Sequence, residues 1–152
     1  LKFVDFYAGQ VIEAGPYRID EESIIEFARS FDPQPFHIDR HAAEAGQWHG
    51  LIASGWHTCS IAMRLVVDYI LSGSDSCGSP GIEYVKWPAP VRPADVLRLR
   101  VEVLDARRSR SGQYGIVRWR WLLSNQEQQI ALDLVATSLF GGPTIAGSSL
   151  RS

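Results

Sequence analysis

SGWHTCSIAMRLVVDYIL, residues 54 to 71, is the longest helical pattern in the chain. Ser54 makes a good N-cap. From Gly55 to Leu71 the residues Cys59, Met63, Val66, Val67 and Ile70 mark one face, which Ile61, Leu65 and Tyr69 widen. A helix apolar on most sides is expected to be buried, and Ser72-Gly73-Ser74 closes it. Downstream the period changes to two. In VLRLRVEVL, residues 96 to 104, Leu97, Leu99, Val101 and Val103 alternate with Arg98, Arg100 and Glu102, the pattern of a half-buried antiparallel strand. Val117, Trp119 and Trp121 alternate likewise with Arg118 and Arg120, and a third run spans Ile130 to Phe140. Turns at Ser111-Gly112 and Ser124-Asn125-Gln126 join the runs into a meander. A long buried helix followed by a meander with one polar face predicts an α+β fold, an antiparallel sheet wrapped around the helix.

Upstream of the helix, an irregular strand is expected from about Val11 to Ile19. Asp20 caps a short helix over Glu21 to Ser30, whose Glu21 and Glu22 suit the positive end of the helix dipole. Pro33 stops that helix, and Asp39 caps a second one, RHAAEAG, which ends at Gly46. A further strand is read over Ile82 to Trp87, and the prolines of PAPVRPAD keep the next segment out of the middle of a sheet.

The 152 residues fit one domain able to bury a core without disulfides or metal, taken here as residues 1–140 with a flexible tail over 141–152. A net charge of -2 argues against nucleic acid as the main partner, because phosphate binding needs a basic face. Cys59 and Cys77 form no CxxC or zinc-type spacing and suit a reducing cytoplasm. The longest apolar run, Ile61 to Leu71, is broken by Arg64 and Asp68 and is too short to span a bilayer.

Two local features carry candidate chemistry. In FDPQPFH, residues 31 to 37, two prolines brace Asp32 and His37 on a path expected to be semi-rigid and non-helical. A carboxylate and an imidazole that share a water can take a proton from it and return one, provided burial tunes their pKa values toward neutrality. In IASGWHT, Ser54-Gly55 opens the long helix, where the first N–H groups lack intrahelical partners and the dipole draws negative charge. Such donors suit a thioester oxygen becoming an enolate. The plainer readings are a helix stop, a core histidine and an ordinary N-cap.

Together DPQPFH and HGLIASGWH resemble the MaoC-like acyl dehydratases, similar to (R)-specific enoyl-CoA hydratases. FVDFYAGQ, GPYRIDEESIIEFA and VKWPAPVRPADVLR extend the resemblance over most of the chain. The resemblance implies a hot-dog fold, reversible addition of water to trans-2-enoyl-CoA thioesters, Asp32 and His37 as the dyad holding the water, and the Gly55 N–H as oxyanion donor. It implies no metal or redox cofactor, with coenzyme A only as the substrate's handle, and a homodimer or larger assembly with sites at subunit interfaces. Gln34 stands where the family usually has asparagine, Ser54 where its best-known hydratases have histidine, and Phe36 replaces a smaller aliphatic. These three differences bear on substrate binding around Gln34, Ser54 and Gly55. They also leave open a non-catalytic acyl-thioester-binding protein.

Other groupings are weaker. A hot-dog thioesterase would want a carboxylate on the central helix, and the only one, Asp68, falls near the end away from Gly55. His37, Asp39 and His41 alternate, with His49 and His57 nearby, but a helix start at Asp39 would not put alternate residues on one face to hold zinc. Arg107, Arg108 and Arg110 could meet coenzyme A phosphates or be a solvated hairpin end. Trp119 and Trp121 share a strand face and read as core or subunit contact rather than as a base-stacking platform.

Overall fold

The computed structural model describes residues 1–142. Five antiparallel strands, β1 (Val11–Arg18), β2 (Ser76–Lys86), β3 (Val96–Arg108), β4 (Tyr114–Ser124) and β5 (Ile130–Gly141), form one sheet in the order β1-β3-β4-β5-β2. The expected meander is β3-β4-β5. Its register sets Val101 opposite Trp121 and Trp121 opposite Leu134. Because side chains alternate across a strand, Leu97, Leu99, Val101 and Val103 share the covered face with Val117, Trp119, Trp121 and Leu123, and all of these are buried. Arg98, Arg100, Arg118 and Arg120 point to the other face.

Against the apolar face lies α4 (Gly55–Val66), prolonged to Leu71 by a π-helical turn. Ile61, Ala62, Leu65, Val66 and Ile70 enter one core with Leu99, Trp119, Leu134 and Phe140. Each fully buried aliphatic side chain of this kind contributes about 1.5–3 kcal/mol, which is far more than helix propensity alone supplies. One central helix laid on one antiparallel sheet is the hot-dog fold, class α+β.

Burial of α4 is one-sided, contrary to expectation. Met63 and Val67 are 39% exposed and Tyr69 is 53% exposed. A single sheet covers only one side of a helix, and here that side centres on Ile61 and Leu65 rather than on Met63. The far side faces outward.

Upstream, β1 pairs with β3 with its register broken between Ala14 and Tyr17, which fits the irregular strand expected there. α1 (Glu21–Phe31) begins at Asp20, whose carboxylate accepts the Ser23 N–H at 2.8 Å. α3 (Arg40–Ala45) begins at Asp39, whose carboxylate accepts the Ala42 N–H at 3.1 Å. Between them the path is not wholly non-helical, since Pro35 opens a helical turn, α2 (Pro35–Ile38). Proline is well suited to that first position, where its missing N–H costs nothing and its φ is already helical.

β2 starts at Ser76, six residues before the strand expected at Ile82. Its SCGSPG half reads as loop, but β2 is an edge strand, where Pro80 need donate nothing to a neighbour. β5 runs through Gly141, one residue into the expected tail, and the rest of that tail from Pro143 lies outside the described residues.

Candidate active site

Asp32 caps the end of α1, its N–H donating to the Ala28 carbonyl at 2.7 Å. The chain then folds back on itself: Gln34 N–H donates to the Asp32 carbonyl at 2.8 Å and His37 N–H to the Gln34 carbonyl at 2.9 Å. This tight path brings the two side chains together, with His37 Nε2 3.2 Å from Asp32 Oδ2. His37 is 4% exposed. Its Nδ1 lies 2.6 Å from the Ile52 carbonyl, which can only accept, so Nδ1 carries a proton and Nε2 is the atom free to exchange one. Backbone contact from Ile52 N–H to the Phe36 carbonyl, 3.1 Å, pins the same two segments a second time.

Asp32 takes three neighbours. Gln34 Nε2 donates to Oδ1 at 2.6 Å, and the Ser54 hydroxyl donates to Oδ2 at 2.7 Å. Ser54 is therefore not a side-chain cap of α4 as expected; its hydroxyl makes no capping bond and is spent on Asp32 instead. Gln34, despite its extra methylene, reaches the carboxylate. Burial works to raise the Asp32 pKa, but the hydrogen bonds from Gln34 and Ser54 and the proximity of His37 outweigh it and hold the carboxyl below its ordinary value of 3.8. That shift runs opposite to the tuning toward neutrality expected from the sequence. Neutral donors surround a negative group, so the ionised form wins.

α4 begins directly after Ser54. Among the described residues no acceptor takes the Gly55 N–H, which stands at the positive end of the helix. Ala53 N–H donates to the Val91 carbonyl at 2.8 Å and draws the Pro88–Pro90 segment alongside. A cleft of about 360 Å³ results, lined by Asp32, Gly55, Trp48, Trp56, Trp87 and Val91 among others. The Trp87 ring lies against Gly55: a Cβ there would come 2.5 Å from the ring, too close for any real contact, so a side chain at this position would force the ring or the helix start to shift. The sequence reading missed these three tryptophans as a group. WPAP, where proline stiffens the chain after Trp87, was the available signal.

The remaining candidates lie elsewhere. His57 stacks on Phe27 at 4.6 Å, its Nδ1 buried without a partner, and burial lowers its pKa, so it packs in neutral form and makes no hydrogen bond to the dyad. Asp39 caps α3, while His41 and His49 are exposed. No three metal-ligating side chains meet among the described residues. Asp68 pairs with Arg64 at 2.9 Å near the far end of the helix. Arg108 sits over the Phe3 ring at 4.9 Å, and the nearby Leu1 nitrogen donates to the Ile70 carbonyl, so the arginine hairpin lies by the end of the helix rather than its start. Trp119 and Trp121 are core, as expected.

A family model described as the MaoC like domain matches residues 5–120. The chain belongs to the MaoC-like dehydratase family. One relative, the Uncharacterized protein YdeM of Bacillus subtilis (strain 168), is 33% identical over 111 residues, 73% of this chain and 79% of its own. Among solved structures, the MaoC-like dehydratase from Rhodospirillum rubrum superposes with a TM-score of 0.85 at 34% identity, covering 95% of this chain and 99% of that one. The (R)-hydratase PhaJ1 from Pseudomonas aeruginosa, 22% identical, shares the fold with a TM-score of 0.69 over 93% of this chain and 86% of its own.

Proposed function

We propose that this MaoC-like protein catalyses the reversible hydration of trans-2-enoyl-CoA thioesters. The observation that carries the reading is the meeting of His37 Nε2 with Asp32 Oδ2 beside the start of α4, with the Ser54 hydroxyl linking the carboxylate to the helix end that presents the Gly55 N–H. A thioester oxygen at that N–H places Cβ toward the dyad. A water held by Asp32 and His37 then adds its oxygen to Cβ as Nε2 takes one of its protons. Electrons shift onto the thioester oxygen, where the Gly55 N–H and the helix dipole stabilise the enolate. The proton returns from the dyad to Cα, leaving hydroxyl on Cβ, hydrogen on Cα and the enzyme unchanged.

In this scheme the two dyad members divide the work. Asp32, held ionised by its neutral donors, orients the water and steadies the imidazolium; His37, anchored through Nδ1, moves the proton. No step calls on a metal or redox cofactor, and coenzyme A serves as the handle of the substrate. The working unit is a homodimer or larger. Support for that comes from the bare edge strand β2, exposed over most of its length and bearing Ile82, which would be covered by a second copy. Both cysteines are free thiols, which fits a reducing cytoplasm, and no helix among the described residues is long and apolar enough to cross a membrane.

A panel of trans-2-enoyl-CoA thioesters, followed by loss of conjugated absorbance, tests the reading, with Asp32→Asn and His37→Ala as controls. Turnover by the wild type and not by the variants is expected. Binding of the thioesters with no turnover across the panel would instead assign the chain to the non-catalytic acyl-thioester binders.

A further inference from the structure

Two clefts meet at Trp56. The first is the 360 Å³ cleft that carries Asp32 and Gly55. The second, about 590 Å³, lies between the outward side of α4 and the β5-β2 edge of the sheet, where the second copy proposed above would roof it, with Met63, Ile82, Trp121 and Leu134 in its walls. Trp56 is the one residue common to both linings. It does not hang free. Its ring meets that of Trp87 edge to face at 5.5 Å and 78°, and the Trp87 Nε1–H donates to the Gly55 carbonyl at 3.0 Å. Pro88 and Pro90 follow Trp87, and their fixed φ stiffens the segment that carries it. The pair forms a braced wall beside the proposed thioester position.

The consequence for substrate choice rests on the hydration reading above, which puts the thioester oxygen at Gly55. From there the acyl group extends into the first cleft, whose volume is near the lower end of the range of about 300–1,000 Å³ for small-molecule sites. A straight chain long enough to leave the first cleft on that side would reach the second only past Trp56, which lines both. An aryl ring held in the first cleft can meet the rings of Trp48, Trp56 and Trp87 that line it. Such contacts favour an aromatic ring over a saturated one of the same size by about two- to tenfold. We propose that Trp56 is a specificity-determining residue, closing the first cleft against the second and confining the acyl group to short or aryl-substituted enoyl chains.

The test uses the intact protein and unreactive saturated thioesters, 3-phenylpropanoyl-CoA, 3-cyclohexylpropanoyl-CoA and decanoyl-CoA, titrated by calorimetry into wild type and Trp56→Ala. Trp56 is 61% exposed, so the variant should fold, and circular dichroism checks that it does. Wild type should bind the phenyl compound more tightly than the cyclohexyl one and more tightly than decanoyl-CoA, although the longer chain has more apolar surface to bury. In Trp56→Ala decanoyl-CoA should gain at least tenfold relative to the phenyl compound. Decanoyl-CoA binding best to wild type, an unchanged order in the variant, or no binding of any thioester would overturn the proposal. So would a variant whose only change is loss of oligomer by sedimentation, since Trp56 would then be a subunit contact. Enoyl hydration assayed in parallel separates the two claims: the expected binding order without turnover would sink the hydration reading and leave this one standing.

Discussion

Two carboxylates in this fold, Asp133 and Asp32, are each held by several donors, and the donors differ in kind. Asp133 on the outer face of the sheet accepts both Arg120 nitrogens at 3.0 and 2.9 Å and the Tyr84 hydroxyl at 2.8 Å. Arg120 hydrogen bonding is the main cause that lowers the Asp133 pKa, and the guanidinium is charged at every accessible pH. Asp32 has no permanent cation. Gln34 and Ser54 are neutral, and the one partner that can carry charge, His37, can also give it up. A carboxylate saturated by arginine is a fastening. One held by neutral donors beside an imidazole, on the wall of a cleft at a helix start, can take part in proton transfer.

If that contrast holds, activity and stability should separate between the two sites. The largest effect is expected on turnover: Asp32→Asn or His37→Ala should lower kcat/KM for enoyl-CoA hydration by about 100- to 10,000-fold, while Asp133→Asn stays within a few-fold of wild type. Equal losses at both aspartates would break the comparison.

Next in size is Gly55→Ala. The added methyl would press on the Trp87 ring, so a loss of about 1–3 kcal/mol is expected in chemical denaturation, along with reduced turnover. Trp87→Ala in the same chain should recover most of the lost stability. If the double variant is no more stable than Gly55→Ala alone, Trp87 is not what excludes the side chain.

At Asp133 the expected effect is on stability. Asp133→Asn should destabilise by about 1–2 kcal/mol, since it leaves a half-exposed arginine without its bidentate acceptor. Ser54→Ala removes one neutral donor from Asp32 and should cost less stability, about 0.5–1.5 kcal/mol, with the larger change in rate.

The smallest effect concerns acid. Both carboxyls have folded-state pKa values below the ordinary 3.8, so the stability each contributes is complete above that value and lost as pH falls through the lowered one. Denaturation midpoints measured from pH 6 downward should hold until about pH 4 on account of these groups and then fall. Asp133→Asn should fall less steeply there. A steeper fall in that variant would contradict the assignment.

How far the sequence alone could reach is clear from individual residues. The two-residue alternation of Leu97 to Val103 and of Val117 to Trp121 exposed the meander, because a half-buried strand must alternate. The same logic failed for the first half of β2, where glycine, serine and proline carry no alternation and only pairing with β5 makes a strand. On α4 the helical period was legible but the buried side was not, because which side a sheet covers is set by tertiary packing. DPQPFH pointed to Asp32 and His37. The role of the Ser54 hydroxyl could not be read locally, since an N-cap position predicts a bond to the helix and its partner lies 22 residues away. Nor does any periodicity gather Trp48, Trp56 and Trp87, which come from three separate segments.

One measurement bears most directly on the central claim that Asp32 and His37 together deliver water across an enoyl double bond. Crotonyl-CoA is incubated with the protein in H₂¹⁸O, in D₂O and, separately, with His37→Ala, and the 3-hydroxybutyryl product is read by mass spectrometry. The account predicts ¹⁸O at Cβ and deuterium at Cα with wild type, and neither above the uncatalysed background with the variant. Label incorporated equally fast by His37→Ala, or none by a wild type that binds the thioester, would contradict it.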